Sequence, residues 1–124
     1  MLDHIGLDVA SYNASKSFYT AALEPLGYGV VEETHGFCGF GPPGKPLFWF
    51  HERADDSMVL TPIHIAFAAR DRAAVDAFHA AALTAAGRDN GPPGLREIYH
   101  PNYYGAFILD PDGNNVEAVC HGAE

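Results

Sequence analysis

Positive charge is scarce in this chain: seven Lys and Arg stand against sixteen Asp and Glu, for a formal net charge of −9. The seven cations (Lys16, Lys45, Arg53, Arg70, Arg72, Arg88, Arg96) are scattered and form no basic stripe, which argues against a nucleic-acid partner. Cysteine is nearly absent too. Cys38 and Cys120 lie far apart with no CxxC spacing and read as two reduced thiols of a cytoplasmic protein. Long apolar runs are missing: stretches such as Leu47–Phe50 and Val59–Leu60 are far too short to cross a bilayer, so no membrane role is expected. The first residues, with Asp3 and His4, lack the cationic-then-apolar pattern of a secretory signal.

What remains is an ordinary globular composition. Hydrophobic residues make up 48% and charged residues 19%, which excludes a disordered chain. Eight Phe, six Tyr and one Trp suffice to build a core or line a pocket, and 124 residues fit one domain.

An internal repeat organises that domain. His4-Ile5-Gly6-Leu7 aligns with His64-Ile65-Ala66-Phe67 sixty positions later, and at the same offset Phe18 meets Phe78, Ala21-Ala22-Leu23 meets Ala81-Ala82-Leu83, and Gly27 meets Gly87. Each half reads as a strand, a helix and then short strands. The first has a strand over Asp3–Val9, Ser11 or Asn13 as helix cap, a helix over about Ala14–Leu26 with one apolar face, and Gly27 as its stop. Strands follow near Gly29–Glu33, Phe37–Phe40 and Leu47–His51. The second half repeats this with a strand at Ile63–Ala69, Asp71 as cap, a helix over about Ala73–Ala86, and Gly87 as stop. Its later strands fall near Arg88–Asn90, Leu95–His100, Tyr104–Leu109 and Asn115–Cys120, with Gly91-Pro92-Pro93-Gly94 as a loop and Asp110-Pro111-Asp112-Gly113 as a hairpin turn. Arg53–Met58 is the linker. The expected fold is α+β: two tandem βαβββ modules, about 1–52 and 62–121, form a curled mixed sheet around a cleft, with helices on the outer face.

Three residues are candidates for a metal site. His4 and His64 are equivalent by the repeat, and Glu117 sits among apolar neighbours in the strand Asn115–Cys120, where an ionised carboxylate is costly unless paired or bound to a cation. Two imidazoles and one carboxylate suit one divalent ion, Fe, Mn, Ni or Zn, with positions left open for a substrate. A lone strand histidine is usually structural, and the repeat shifts that balance. Tyr99, His100, Asn102, Tyr103 and Tyr104 form a dense polar and aromatic cluster, either an ordered loop or a source of a general acid or base; Tyr103 and His100 are the leading candidates beside Glu117. Phe48, Trp49, Phe50, Tyr104, Arg96 and His121 are candidate pocket residues.

His4-Ile5-Gly6-Leu7, His64-Ile65-Ala66-Phe67 and the stretch Asp110-Pro111-Asp112-Gly113-Asn114-Asn115-Val116-Glu117 together resemble the vicinal oxygen chelate superfamily of glyoxalases, extradiol dioxygenases and bleomycin-resistance proteins. The resemblance covers nearly the whole chain. It implies His4, His64 and Glu117 as metal ligands, and a homodimer in which modules of two chains complete each cleft. Glyoxalases usually add a second carboxylate from the first module. Aligning Gly41–Gly44 with Asp110–Gly113 places Phe48 opposite Glu117, a one-residue slip gives Trp49 or Leu47, and none of these binds metal. Strand alternation counted from Phe48 puts His51 on the other face. The expected activity is therefore a metal-dependent enzyme acting on a small oxygenated molecule, lyase- or isomerase-like, with extradiol dioxygenation as a sub-case. Thiol transfer to a phosphonate ranks lower because cations near the site are few. The alternative is a drug- or metabolite-binding protein without chemistry.

Overall fold

A computed structural model describes residues 1–123. The first module runs β1 (Ile5–Val9), α1 (Tyr12–Leu23), β2 (Gly29–Thr34), β3 (Phe37–Gly41) and β4 (Phe48–Glu52). The second repeats it as β5 (His64–Ala68), α2 (Arg72–Thr84), β6 (Arg88–Leu95), β7 (Tyr104–Leu109) and β8 (Asn115–Cys120). The α+β reading and the repeat hold. Each module forms its own four-stranded mixed sheet, ordered β1-β4-β3-β2 and β5-β8-β7-β6, in which only the β1–β4 and β5–β8 pairs are parallel. The sheet is thus two sheets with no hydrogen-bonded pairing between them, and β1 and β5 are open edges.

Local chemistry explains where the helices begin and end. Ser11, the nearer of the two expected caps, accepts from the Ala14 amide at 3.2 Å, and α1 starts at Tyr12. Pro25, which has no amide hydrogen, turns the last expected stretch into a 3-10 turn over Glu24–Leu26, and Gly27 at φ +84° ends it. Asp71 caps α2 by accepting from the Ala74 amide at 2.8 Å. There Ala86 takes the left-handed conformation (φ +73°) that was expected of Gly87. Gly87 is needed for another reason. A β-carbon on it would come within 2.7 Å of Phe18, Ile108 and the Ala82 carbonyl, so its missing side chain lets the two modules close on one another.

Gly91-Pro92-Pro93-Gly94, expected as a loop, lies inside β6. That strand is the outer one of its sheet and pairs with β7 through irregular register at Gly91 and Gly94, which is how an edge strand tolerates prolines. The expected strand Leu95–His100 is accordingly absent: after Leu95 the chain turns through Glu97–Tyr99.

One hydrophobic cluster spans both modules. Phe18, Tyr19, Phe40, Phe48 and Phe50 from the first join Phe67, Phe78, Ile108, Val116 and Ala118 from the second. At its heart Tyr19 donates from its hydroxyl to Asp110 Oδ2 at 2.5 Å, and burial, with the Asp110 charge adding, pushes that hydroxyl far above its ordinary pKa. Asp110, only 2% exposed, also accepts from the backbone amides of Asp112 and Asn114 and from Asn114 Nδ2. Asn114 in turn accepts from the Ile63 amide at 2.8 Å. The turn that reads as a hairpin signal in the sequence thus knots α1, the start of β5 and the start of β8 together.

Tyr19→Phe, which removes one bond to a buried charge, is expected to lower unfolding free energy by about 1.5–3 kcal/mol. Asp110→Ala orphans four donors and should cost more, both read by urea denaturation. An Asp110→Ala protein as stable as Tyr19→Phe would contradict this account of the knot.

Candidate metal and substrate site

Alternation along β8 sends Val116, Ala118 and Cys120 to the core and turns Glu117 to the opposite face of the sheet. Glu117 is nonetheless only 1% exposed, because neighbouring side chains roof it. His64 Nε2 lies 2.9 Å from Glu117 Oε1, and the Tyr103 hydroxyl donates to Oε2. Phe107 is the cross-strand partner of Glu117 on β7. Gly105 admits the carboxylate: a β-carbon there would sit 3.1 Å from Oε2 and 3.2 Å from the Tyr103 ring. Burial raises the Tyr103 hydroxyl well above the usual tyrosine pKa, with the bond to Glu117 adding, so it remains a donor at neutral pH.

His121 and His100 extend the cluster. The His121 ring stands edge-on to Tyr103 at 5.2 Å and to His100 at 5.5 Å, while His100 Nδ1 accepts from the Asn102 amide at 3.1 Å. Arg96 lies over the Phe107 ring at 5.5 Å and is tied by Nη2 to the Pro92 carbonyl at 2.7 Å. Tyr104 belongs elsewhere. It faces α2, where its hydroxyl donates to Asp76 at 2.7 Å beneath Arg72, so strand alternation separates it from its neighbour Tyr103.

His4 precedes β1 and holds Asp3 through Nδ1 at 2.7 Å, well exposed to solvent. Both histidines border a largely apolar cavity of about 400 Å³ between β1 and β5. Among the described residues, however, no group of three or more His, Cys, Asp or Glu is gathered as a metal would require. Within one chain, then, the structure unites His64, Glu117 and Tyr103 and leaves His4 apart. The cause is the fold itself, since the two sheets are not joined side by side.

The first module's counterpart of Glu117 follows from register. Gly6 pairs with Trp49 as Ala66 pairs with Glu117, which makes Trp49, not Phe48, the equivalent residue. Phe48 and Phe50 accordingly face the helix and are buried at 1% and 0% exposure, so Phe50 cannot line an open pocket. Phe48 borders the cavity between the sheets from the core side. His51, two residues beyond Trp49, shares Trp49's face instead of opposing it. Its Nδ1 meets Asp8 at 2.9 Å, and Phe37 stacks on its ring at 4.5 Å with an interplanar angle of 4°. Phe37, Gly39, Gly105 and Phe107 escape a reading of the sequence because only cross-strand pairing places them beside Trp49 and Glu117.

Comparison with known proteins agrees with this architecture. A profile of the Glyoxalase/Bleomycin resistance protein/Dioxygenase superfamily matches residues 1–118, and the chain belongs to that superfamily. Among solved structures it is similar to a glyoxalase/bleomycin resistance protein from Albidiferax ferrireducens, at 29% identity and a TM-score of 0.77, covering 97% of this chain and 98% of that one. It is similar to a putative glyoxalase from Bacillus halodurans at 25% identity and a TM-score of 0.71, covering 97% and 95%. A lactoylglutathione lyase from Agrobacterium tumefaciens shares the fold at 22% identity and a TM-score of 0.67, covering 97% and 92%. No curated protein sequence matches the chain. The superfamily contains enzymes as well as non-enzymatic members.

Tyr103→Phe takes away the hydroxyl that holds Glu117 Oε2 and is expected to destabilise the protein by about 1.5–3 kcal/mol. Thermal unfolding checks it. An unchanged midpoint would show that the hydroxyl is not a structural partner of the carboxylate.

Proposed function

We propose that this protein is a divalent-metal-dependent enzyme acting on a small oxygenated molecule, its metal held by His64 and Glu117 of one chain and His4 of a second copy. The observation that carries the reading is the His64–Glu117 pair. A carboxylate at 1% exposure is costly to desolvate, and among the described residues the basic group bonded to it is an imidazole, itself half open to solvent. One nitrogen and one oxygen donor thus meet on the sheet face away from the helix, a set suited to Fe, Mn, Ni or Zn. Held by these residues, such an ion would supply Lewis acidity toward substrate oxygens and toward enolate-like charge.

The protein's own groups divide the remaining work. Tyr103 fixes Glu117 by Oε2, leaving Oε1 on the His64 side. Its hydroxyl has one proton, given to Glu117 Oε2, so toward substrate its oxygen is the proposed acceptor for a substrate hydroxyl. His121 and His100 stand edge-on beside it and extend the polar and aromatic lining of the site. Lyase- or isomerase-like chemistry on a small oxygenated substrate is the leading form, in keeping with likeness to the putative glyoxalase, and extradiol dioxygenation is the sub-case.

Homodimerisation supplies what one chain lacks. The unpaired edges β1 and β5 flank His4 and His64, and a twofold partner would set the first module of one chain against the second of the other. Cytoplasmic location is proposed from Cys38 and Cys120, both buried and unpaired. None of the helices among the described residues is long and apolar enough to cross a membrane. Trp49, standing where a fourth ligand would stand, favours the second reading, a protein that binds a small molecule or drug without chemistry.

Elemental analysis of protein purified without a chelating tag separates the two. About one equivalent of metal per chain, as a single three-ligand site requires, is expected for the wild type and should be lost in His4→Ala, His64→Ala and Glu117→Gln. Protein that is metal-free and refuses added Fe, Mn, Ni and Zn would contradict the enzyme and leave the binding protein.

A further inference from the structure

The face that carries Glu117 in the second module carries something quite different in the first. Trp49, the chain's single tryptophan, is flanked by glycine on both neighbouring strands: Gly6 on β1 and Gly39 on β3 are its register partners. Glu117 has Ala66 and Phe107 in those places. The two glycines do different things. A β-carbon on Gly39 would lie 2.8–2.9 Å from three atoms of the indole's six-membered ring, so the indole rests directly on that backbone. A β-carbon on Gly6 would meet nothing nearer than the Trp49 carbonyl at 3.9 Å, so the space above Gly6 stands open beside the indole.

That space is part of a hollow of about 570 Å³ bordered by Gly6, Trp49, Phe37, Pro46, Lys45 and His4. Its size suits a bicyclic ligand. One wall is stiff, because Phe37 is stacked flat on His51 and His51 is anchored to Asp8. His4, just before β1, borders the same hollow two positions from Gly6, a span of about 7 Å along extended chain. A ring above Gly6 would therefore point a substituent at His4.

We propose that this hollow is the subsite for a planar aromatic ring, with Trp49 as its stacking surface and Gly6 as the gap that admits the ring. The ligand class is an aryl compound of one or two fused rings whose oxygen substituents reach toward His4. This deepens the functional reading above and rests on it only for the metal end; the ring subsite belongs to the first module's own face. Indole–ring stacking supplies affinity that a saturated ring of equal size does not obtain, because the quadrupole attraction needs two flat π faces.

The test is calorimetric titration of the purified protein with 2-naphthol, a planar ring that does not chelate, beside its saturated counterpart decahydro-2-naphthol. Wild type is expected to bind 2-naphthol several-fold, up to about tenfold, more tightly than the saturated alcohol. Trp49→Phe should stay within a few-fold of wild type, whereas Trp49→Leu should lose about tenfold. Gly6→Leu, which fills the gap while keeping the indole, should lose binding as well. Circular dichroism of each variant matching wild type certifies the fold. Wild type stripped of metal by a chelator is expected to bind 2-naphthol as untreated protein does, so a protein without metal would leave this result intact. Absence of binding to wild type, equal affinity for the two alcohols, or full affinity in Trp49→Leu would each overturn the subsite.

Discussion

Asp110 is a buried carboxylate with no cationic partner among the described residues, satisfied instead by four hydrogen-bond donors from Tyr19, Asp112 and Asn114. Because a charge in that position is costly unless every lone pair is used, its donors cannot drift. Tyr19 brings α1 to the turn, and Asn114 passes the constraint to Ile63, the residue before His64. Three residues beyond Asn114 stands Glu117. The parallel register of β5 on β8, with Ala66 opposite Glu117 and His64 opposite Asn115, starts from this knot. The strands that carry this pair of side chains are therefore set in register by a polar interaction in the core, and Tyr103 then fixes the carboxylate on the opposite face.

The two modules show how one backbone plan diverges by side chain alone. Both keep a strand, a capped helix and three further strands, and both bury an apolar face against their helix. On the open face they part. The second module gathers imidazole, carboxylate and phenol, a set able to hold a cation and move protons. The first gathers indole, phenyl and two glycines, a set able to hold a flat ring. In the proposed dimer, the open edge of each sheet would let one kind of face be set against the other across a twofold axis.

Much of the architecture is legible in the residues. The sixty-residue offset, the caps Ser11 and Asp71, and the Asp-Pro-Asp-Gly turn specify two modules and most of their elements. What escapes is set by cross-strand partners. Gly91-Pro92-Pro93-Gly94 carries every local mark of a loop, yet an edge strand absorbs it with shifted register. Matching the two turns by their final glycines slipped the alignment by one residue, pairing Phe48 with Glu117, and that slip put His51 on the wrong face. Strand period is two, so an error of one inverts every side chain. Of the site, Glu117 and His64 stand out in the sequence, Tyr103 was one of several neighbours, and Gly39 and Gly105 carry no signal until the rings beside them are placed.

The claim on which the functional account turns is that a site is shared between two copies, and subunit mixing tests it directly. His4→Ala and Glu117→Gln proteins, each unable to hold metal alone, are unfolded together, refolded and analysed for bound metal. With shared sites, half of the dimers are mixed and each mixed dimer has one of its two sites intact, so about a quarter of all sites should recover metal. If the three ligands instead converge within one chain, every chain carries a lesion and mixing restores nothing, which would contradict the shared site.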